Sequence, residues 1–489
     1  MHGIRKMATM AILLALGTSL TFSAQDASVL LEKAIYTEET LGNLSDAINI
    51  YKQIIASADT SRTIGALALY RIGVCYRKYG NESGALEAFS SLAQLYPEQK
   101  DLIVKSLLLI LKPAPWVDGE IMQLTQKKIG TEGAGPVFST YSVESSMEGG
   151  KPVWTFLYHF GMGRPPIYYS VTVADARTMI PLVNRSLSNQ TYLEARYAVD
   201  KIEVLNPKDS SEPAKQIAIP GTVYDAWQIV PLLRCLPLRE GLRVTIPMFA
   251  SSTGASANVK FTVVARETIA APAGDFDCYK IVMSSDNNAP VNQIFWISAD
   301  SHSYLVKAHI DDANAFELKS VEVVGKNQSA NFTDPESGIG LSWPRQWYLS
   351  HVFNTVQARQ FGLSAPVSDH RFGLSAPEFD STLEVTVSAH KPELASGAQV
   401  TKVLTVASYQ VPSYQVRPQT RERVTIAGLS GERFIVDVRD STSGDPIVDY
   451  AYHLSSQTKS YTFTFRTRSD NFDKMKSVFE TIVSSLKVQ

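Results

Sequence analysis

Cysteine is almost missing from these 489 residues: only Cys75, Cys235 and Cys278 occur. That count excludes a disulfide-stapled scaffold, which needs many closely spaced pairs. Charge of one sign is missing as well. Lys and Arg number 46 against 48 Asp and Glu. With no basic surplus to neutralise phosphates, no nucleic-acid partner is expected. Long apolar runs are absent beyond the first 24 residues. A membrane-spanning helix needs about 20 such residues, so no transmembrane anchor is expected once the amino-terminal segment is removed.

Recognisable chemistry is scarce too. The eight histidines are His2, His159, His302, His309, His351, His370, His390 and His453. His302 and His309 are the closest pair, seven residues apart, and no His-Glu-x-x-His metal motif occurs. There is no glycine-rich phosphate loop. Residues 428–432, Gly-Leu-Ser-Gly-Glu, lack the final glycine of a Gly-x-Ser-x-Gly nucleophile elbow. Asp275-Phe276-Asp277 and the stretch 440–445 lack the full set of alternating oxygen ligands of a calcium loop, and both read as turns. No catalytic residue, metal or cofactor is expected. A triad assembled from distant residues leaves no motif, so absence of motifs lowers the case for an enzyme without closing it.

What is present begins at the amino terminus. His2, Arg5 and Lys6 precede an apolar run from Met7 to about Phe22, then the small residues Ser23 and Ala24. Basic, then apolar, then small is the order of a cleavable export signal, and the apolar run is too short for an anchor. Residues 1–24 are therefore read as a signal peptide, cut after Ser23 or Ala24, and the mature chain as periplasmic or secreted. Plentiful Tyr (21) and Phe (20) with ordinary Gly and Pro suit a β-rich globular body. The length calls for about three domains.

Residues 25–112 carry helical periodicity. Leu69, Ile72, Gly73, Tyr76, Gly80, Ala85, Phe89 and Pro97 follow the spacing of two antiparallel helices. Gly73 and Ala85 allow close approach, Tyr76 and Phe89 fill the space beside them, Gly80-Asn81 turns the chain and Pro97 stops the second helix. A weaker copy lies upstream at Leu31, Ala34, Gly42, Ala47 and Tyr51. Gly42 to Gly80, Ala47 to Ala85 and Tyr51 to Phe89 all span one and the same interval. The pattern resembles the tetratricopeptide repeat, whose usual period of about 34 is slightly shorter, with residues 59–62 lengthening the connection. A closing helix is expected over 101–111. The resemblance implies docking of a protein partner.

From residue 116 to 325 the texture is β. Strands are expected at 153–160, 167–173, 192–205, 242–249, 259–264, 279–283, 294–297, 304–310 and 316–324, bounded by turns such as Asp286-Asn287-Asn288. Val259, Phe261 and Val263 alternate with Lys260 and Thr262, which predicts a sheet with one buried face. A helical insert spans Tyr224–Leu238 and must bend or restart at Pro231. The runs Tyr224-Asp225, Leu236-Pro237-Leu238, 271–280 (APAGDFDCYK) and 295–300 (FWISAD) resemble an exported bacterial family of unknown function, similar in shape to outer-membrane lipoprotein carriers. The resemblance implies a curved antiparallel sheet whose concave face either holds a lipid or hydrophobic peptide or is filled by the insert. Cys235 and Cys278 fall in this region and form a candidate disulfide, whereas Cys75 reads as a buried thiol on a helix.

Residues 328–489 open with Phe332-Thr333-Asp334-Pro335, Gly338–Pro344 and Trp347. Strands are expected at 382–389, 400–406, 423–427, 431–437 and 460–466. A last helix from Ser469 to Leu486, capped by Ser469 or Asp470, carries Phe472, Met475, Phe479, Ile482, Val483 and Leu486 on one face. That order resembles the PsbP family. FGLSAP occurs at 361–366 and 372–377, and SYQV at 408–411 and 413–416; these duplications read as insertions in exposed segments. The whole is an α+β multidomain chain. The expectation is a non-catalytic adaptor of the cell envelope, with a lipid or lipopeptide carrier and an envelope hydrolase as alternatives.

Overall fold

The computed structural model describes residues 24–488 except 58–60, 129–137, 161–167, 189–190, 207–212, 286–292, 312–313, 335–336, 354–369, 377–380, 390–413, 418–419 and 440–443. The signal segment up to Ser23, the strand expected at 400–406, the turn at 286–288 and the first copies of FGLSAP and SYQV lie outside the described residues. The chain divides into two compact units, 1–102 and 103–489. The expected mixed α+β class holds.

The first unit is helical. Its helices are α1 (Ala24–Glu39), α2 (Leu44–Ala56), α3 (Arg62–Lys78) and α4 (Glu82–Leu95). A fifth, α5 (Lys100–Ile110), starts at its end. Gly42 and Gly80 take φ of +64° and +75°, the left-handed conformation that ends each first helix at little cost only for glycine. Among the described residues, no helix is long and apolar enough to cross a membrane.

The second unit is built on one long sheet. Its strands are β1 (Glu120–Lys128), β2 (Phe138–Glu148), β3 (Lys151–Phe160), β4 (Tyr168–Asp175) and β5 (Pro181–Ser188). Next come β6 (Thr191–Tyr197), β7 (Lys201–Leu205), β8 (Lys215–Ala218) and β9 (Tyr224–Asp225). After an insert, α6 (Ile229–Cys235), follow β10 (Arg243–Ala250), β11 (Ala255–Ala271), β12 (Gly274–Ser285), β13 (Ile294–Ser298), β14 (Leu305–His309) and β15 (Asn314–Val323). They form a 15-stranded sheet in which β1 and β15 are central neighbours and β8 and β9 are the two edges. Pairing is antiparallel except between β9 and β10. The alternation on β11 is as expected: Val259, Phe261 and Val263 are buried and Lys260 is exposed. The strand expected at 192–205 is instead a hairpin of β6 and β7, turned where the Ala198 N–H donates to the Lys201 carbonyl at 3.0 Å.

The sheet curls until its ends meet. Phe249 of β10 shares an apolar cluster with Ala195 and Ile202 of β6 and β7. Ser251 donates to Asn184 Oδ1 at 3.3 Å, and Asn184 is itself fully buried. Such curvature follows from the twist of long antiparallel strands.

The remaining strands are β16 (Ser329–Asp334), β17 (Ile339–Pro344), β18 (Tyr348–Phe353), β19 (His370–Ala376), β20 (Ser381–Ala389), β21 (Tyr414–Val416) and β22 (Glu422–Ile426). Then come β23 (Leu429–Arg439), β24 (Pro446–Ser455), β25 (Lys459–Arg468), the helix α7 (Phe472–Ser484) and β26 (Lys487–Val488). β16, β17 and β26 form a small sheet, and the others an eight-stranded one. The apolar face predicted for α7 is buried, with Phe479, Ile482 and Val483 at 0% exposure. Phe465 of β25 stacks on Phe479 at 4.6 Å, and Trp347 meets both rings edge-on. The expected caps are not used: α7 is preceded by a 3-10 turn over Ser469–Asn471, and no side chain caps it. The core of this module continues into the long sheet, where Leu157, Tyr169 and Val171 join the same cluster as Trp347 and Leu349.

Candidate docking site

The helical unit is assembled from two hairpins in register. A Cβ on Gly73 would lie 2.2 Å from the Phe89 ring, so the ring of α4 rests directly on the backbone of α3. Leu69, Ile72, Ala85 and Phe89 are buried. Tyr76 is half-buried and covers Gly84, where a Cβ would lie 3.1 Å from its ring. Pro97 follows the end of α4 by two residues. The upstream copy buries Ala34, Ala47 and Tyr51 completely.

Each second helix starts with an asparagine cap that motif reading passed over. Asn43 accepts from the Asp46 N–H at 3.2 Å and Asn81 from the Gly84 N–H at 2.9 Å. The two asparagines keep the same interval as the turn glycines Gly42 and Gly80 that precede them, so their spacing was a readable signal. Each satisfies a backbone donor left unpaired at a helix start.

The first hairpin differs at its centre. Glu38, with a side chain at 0% exposure, accepts from the Tyr51 hydroxyl at 2.8 Å and from Lys78 Nζ at 2.7 Å. Arg71 lies 3.5 Å from the same carboxylate and also pairs with Glu39. Burial, and then the neighbouring Glu38, push the Tyr51 phenol well above its ordinary value. The same two causes push the Cys75 thiol up to about 12, so Cys75 is an inert buried thiol rather than a nucleophile. Outside this packing, α1 and the turn after it present Val29, Tyr36 and Leu41 at 60, 55 and 60% exposure. Val29 and Tyr36 are two turns apart, on one face of α1.

In the second unit the insert occupies the concave side of the sheet. Its start is locked by Asp225, fully buried, which accepts from the Trp227 N–H at 2.8 Å and from the Tyr197 hydroxyl. Gln228 accepts from the Asp225 N–H at 3.1 Å and donates to the Met179 carbonyl at 2.9 Å. Burial pushes the Asp225 carboxyl up to about 6 against the opposing pull of the Tyr197 hydroxyl. Pro231 is the third residue of α6, within the first turn, where a missing N–H costs no helical bond; the insert changes from a 3-10 turn to α-helix at Ile229, two residues before it. At its end Arg234, 2% exposed, donates to Glu120 at 2.7 Å and to the carbonyls of Ser303 and His302 at 3.0 and 2.9 Å.

The space left under the insert is about 20 Å³, lined by residues including Trp116, Tyr141, Tyr158, Trp227, Val230 and Pro231. That holds about one water molecule, whereas small-molecule pockets run to about 300 Å³ or more. Among the described residues, the insert fills this face.

The candidate disulfide is corrected: all three cysteines are free and buried. Cys278 packs with Trp296 and Val306 in a cluster to which Cys235 does not belong; Cys235 is on α6. The described histidines are dispersed. His159 is enclosed in β3, and burial pushes it down to about 3. His453 stacks on Phe434. His302 is 3.7 Å from Asp300, and Ser298 donates to the same carboxylate at 3.1 Å. The Ser298 oxygen is engaged by the Tyr304 N–H at 2.8 Å, so this is a turn and not a nucleophile facing a base. Residues 427–428 form the hairpin turn between β22 and β23, with positive φ at both. Asp277, expected in a turn, is instead on β12 and paired with Arg266. Among the described residues no group of three His, Cys, Asp or Glu side chains is placed to hold a metal.

Residues 126–318 match the family described as "Protein of unknown function (DUF3108)", and residues 67–98 match "Tetratricopeptide repeat". The second match coincides with the hairpin read from Leu69 to Pro97. No curated protein matches the chain. Among solved structures, cyanobacterial PsbP (CyanoP) from Synechocystis sp. PCC 6803 is similar at 22% identity and a TM-score of 0.27, over 35% of this chain and 98% of that one. LpqN of Mycobacterium tuberculosis, described as involved in cell envelope biogenesis, is similar at 14% identity and a TM-score of 0.23, over 33% of this chain and 91% of that one. MucB is similar at 9% identity and a TM-score of 0.19, over 79% and 98%.

Proposed function

We propose that the chain is an exported, non-catalytic adaptor of the cell envelope that docks a protein partner through its helical repeats. The observation that carries this reading is the helical unit itself. It is a separate compact unit, its second hairpin is closed by glycine–aromatic packing, both hairpins carry matched asparagine caps, and its first helix leaves Val29 and Tyr36 on an exposed face. Helical repeats of this kind use such faces for recognition. The order of residues 1–24 supports export. A lipid-carrier role is the weaker reading, because the insert fills the concave face.

Site-specific photo-crosslinking from position 36 in living cells, followed by mass spectrometry, tests the proposal. One recurrent envelope protein, lost when the photoreactive residue is moved to buried Ala34, is the expected result. Absence of any specific adduct from positions 29, 33 and 36 would sink the docking role. Stoichiometric lipid retained by the purified protein would favour the carrier instead.

A further inference from the structure

Arg345 stands in the turn between β17 and β18 of the carboxy-terminal module, two residues before Trp347, yet its side chain is directed to the long sheet. Its side chain is only 4% exposed. Nε donates to Glu144 Oε1 on β2 at 2.8 Å, and Nη1 donates to the Val324 carbonyl at 3.2 Å. Nη1 and Nη2 each donate to a separate oxygen of Asp118 at 3.3 Å. Burial works against the guanidinium charge, but the two carboxylates outweigh it and hold its pKa above the ordinary value.

The socket has a backbone wall. Gly119 takes φ +83°, and a Cβ there would stand 2.1 Å from the Val324 carbonyl oxygen and 3.2 Å from Arg345 Nη1. Beside it the Tyr348 hydroxyl lies 3.0 Å from Ser142 Oγ, and the Tyr348 ring faces His159 at 6.3 Å. Ser142 and Glu144 are on the same face of β2. The sheet face thus offers Glu144, the Ser142 hydroxyl and an apolar surface, the turn before β1 adds Asp118, and the segment Arg345–Tyr348 answers the polar groups.

We infer that this face is an internal docking site whose occupant is the chain's own carboxy-terminal module, selected by Arg345. The two act as one platform and not as modules free to swing on a linker. A buried guanidinium with paired carboxylates supplies specificity because a wrong partner would leave Glu144 without its cation and Asp118 with only the Ser145 N–H at 2.7 Å, and the shared apolar core supplies the holding area.

The chain crosses between them once, through residues 325–328, and Lys326 and Asn327 are exposed. A protease site inserted there in the full chain gives the test. After cleavage, the two fragments of the parent should co-elute in size-exclusion chromatography and part only on denaturation. Arg345→Glu should weaken their association by roughly 30-fold or more, the scale expected for breaking a buried charge pair. Asp118→Asn with Glu144→Gln, which leaves Arg345 in place, should do the same and covers the case in which Arg345→Glu does not fold. Parent fragments that separate on cleavage would overturn the docking site. Fragments of the variants that hold as tightly as the parent's would overturn the role of Arg345.

Discussion

The helical unit and the β unit each bury a carboxylate, and they answer it differently. Glu38 meets two cations, Lys78 and Arg71, and the Tyr51 phenol. Asp225 meets a phenol, from Tyr197, and a backbone N–H. The first arrangement joins three helices through one acidic side chain. The second caps a helix with a group whose charge is costly in place, so burial leads and the carboxyl is pushed up to about 6. The lesson is that a buried acid can serve as a tie between elements or as a local cap. The cap becomes a pH-dependent weakness in the neutral range.

The largest effect that breaks this comparison is expected from Glu38→Ala. It strips the acceptor from a buried phenol and from Lys78, and should lower unfolding free energy by about 4 kcal/mol in denaturant titration of the helical signal. A loss below about 1 kcal/mol would show that the carboxylate is not a tie.

Next is Asp225→Asn, which keeps a capping oxygen without the charge. Because the folded pKa of Asp225 lies above the unfolded value of 3.8, its contribution is fully present below about pH 4 and is lost as pH rises through about 6. The stability of the variant relative to the parent should therefore rise between pH 4 and pH 7, by up to about 3 kcal/mol. A flat difference across that range would remove the pH weakness.

Tyr51→Phe and Tyr197→Phe sharpen the contrast. The first should cost about 2 kcal/mol, for one hydrogen bond to a charged acceptor. The second should raise the Asp225 titration midpoint above that of the parent, followed by carboxyl carbon NMR, since the Tyr197 hydroxyl lowers it more than the Trp227 N–H does. Smallest are the caps. Asn43→Ala and Asn81→Ala should each cost about 1 kcal/mol, and equal losses would confirm that the two hairpins share their turn design.

The two hairpins also explain what could be read in advance. At the position of Phe89 the upstream copy has Tyr51, and at that of Tyr76 it has Glu38, both in the register set by the turn glycines. The upstream copy looks degenerate because a hydrogen-bonded pair replaces apolar filling, although the glycine turn and the asparagine cap repeat. Strands with clean alternation, such as β11, were legible. β24 was not: it begins at Pro446 and carries Asp449, which lies fully inside and is paired with Arg466 at 2.7 Å through both carboxylate oxygens. A charge in mid-strand argues against burial until its partner on the neighbouring strand is known. The absent Cys235–Cys278 bridge has the same origin, because nothing in the spacing of two cysteines says which packing cluster each will enter.

By itself, then, the sequence determined the local matters: two hairpins in a shared register, an antiparallel β body with a helical insert, and a terminal helix with one apolar face. These follow from periodicity, turn glycines and proline, all of which act within a short stretch of chain. Tertiary structure alone decided that the insert fills the concave face, that Glu38 and Asp225 are buried with the partners they have, and that Arg345 enters a socket whose carboxylates, Asp118 and Glu144, lie far upstream in the chain. Such choices depend on which distant surfaces meet, and a buried charge is tolerable only where its partner is already waiting.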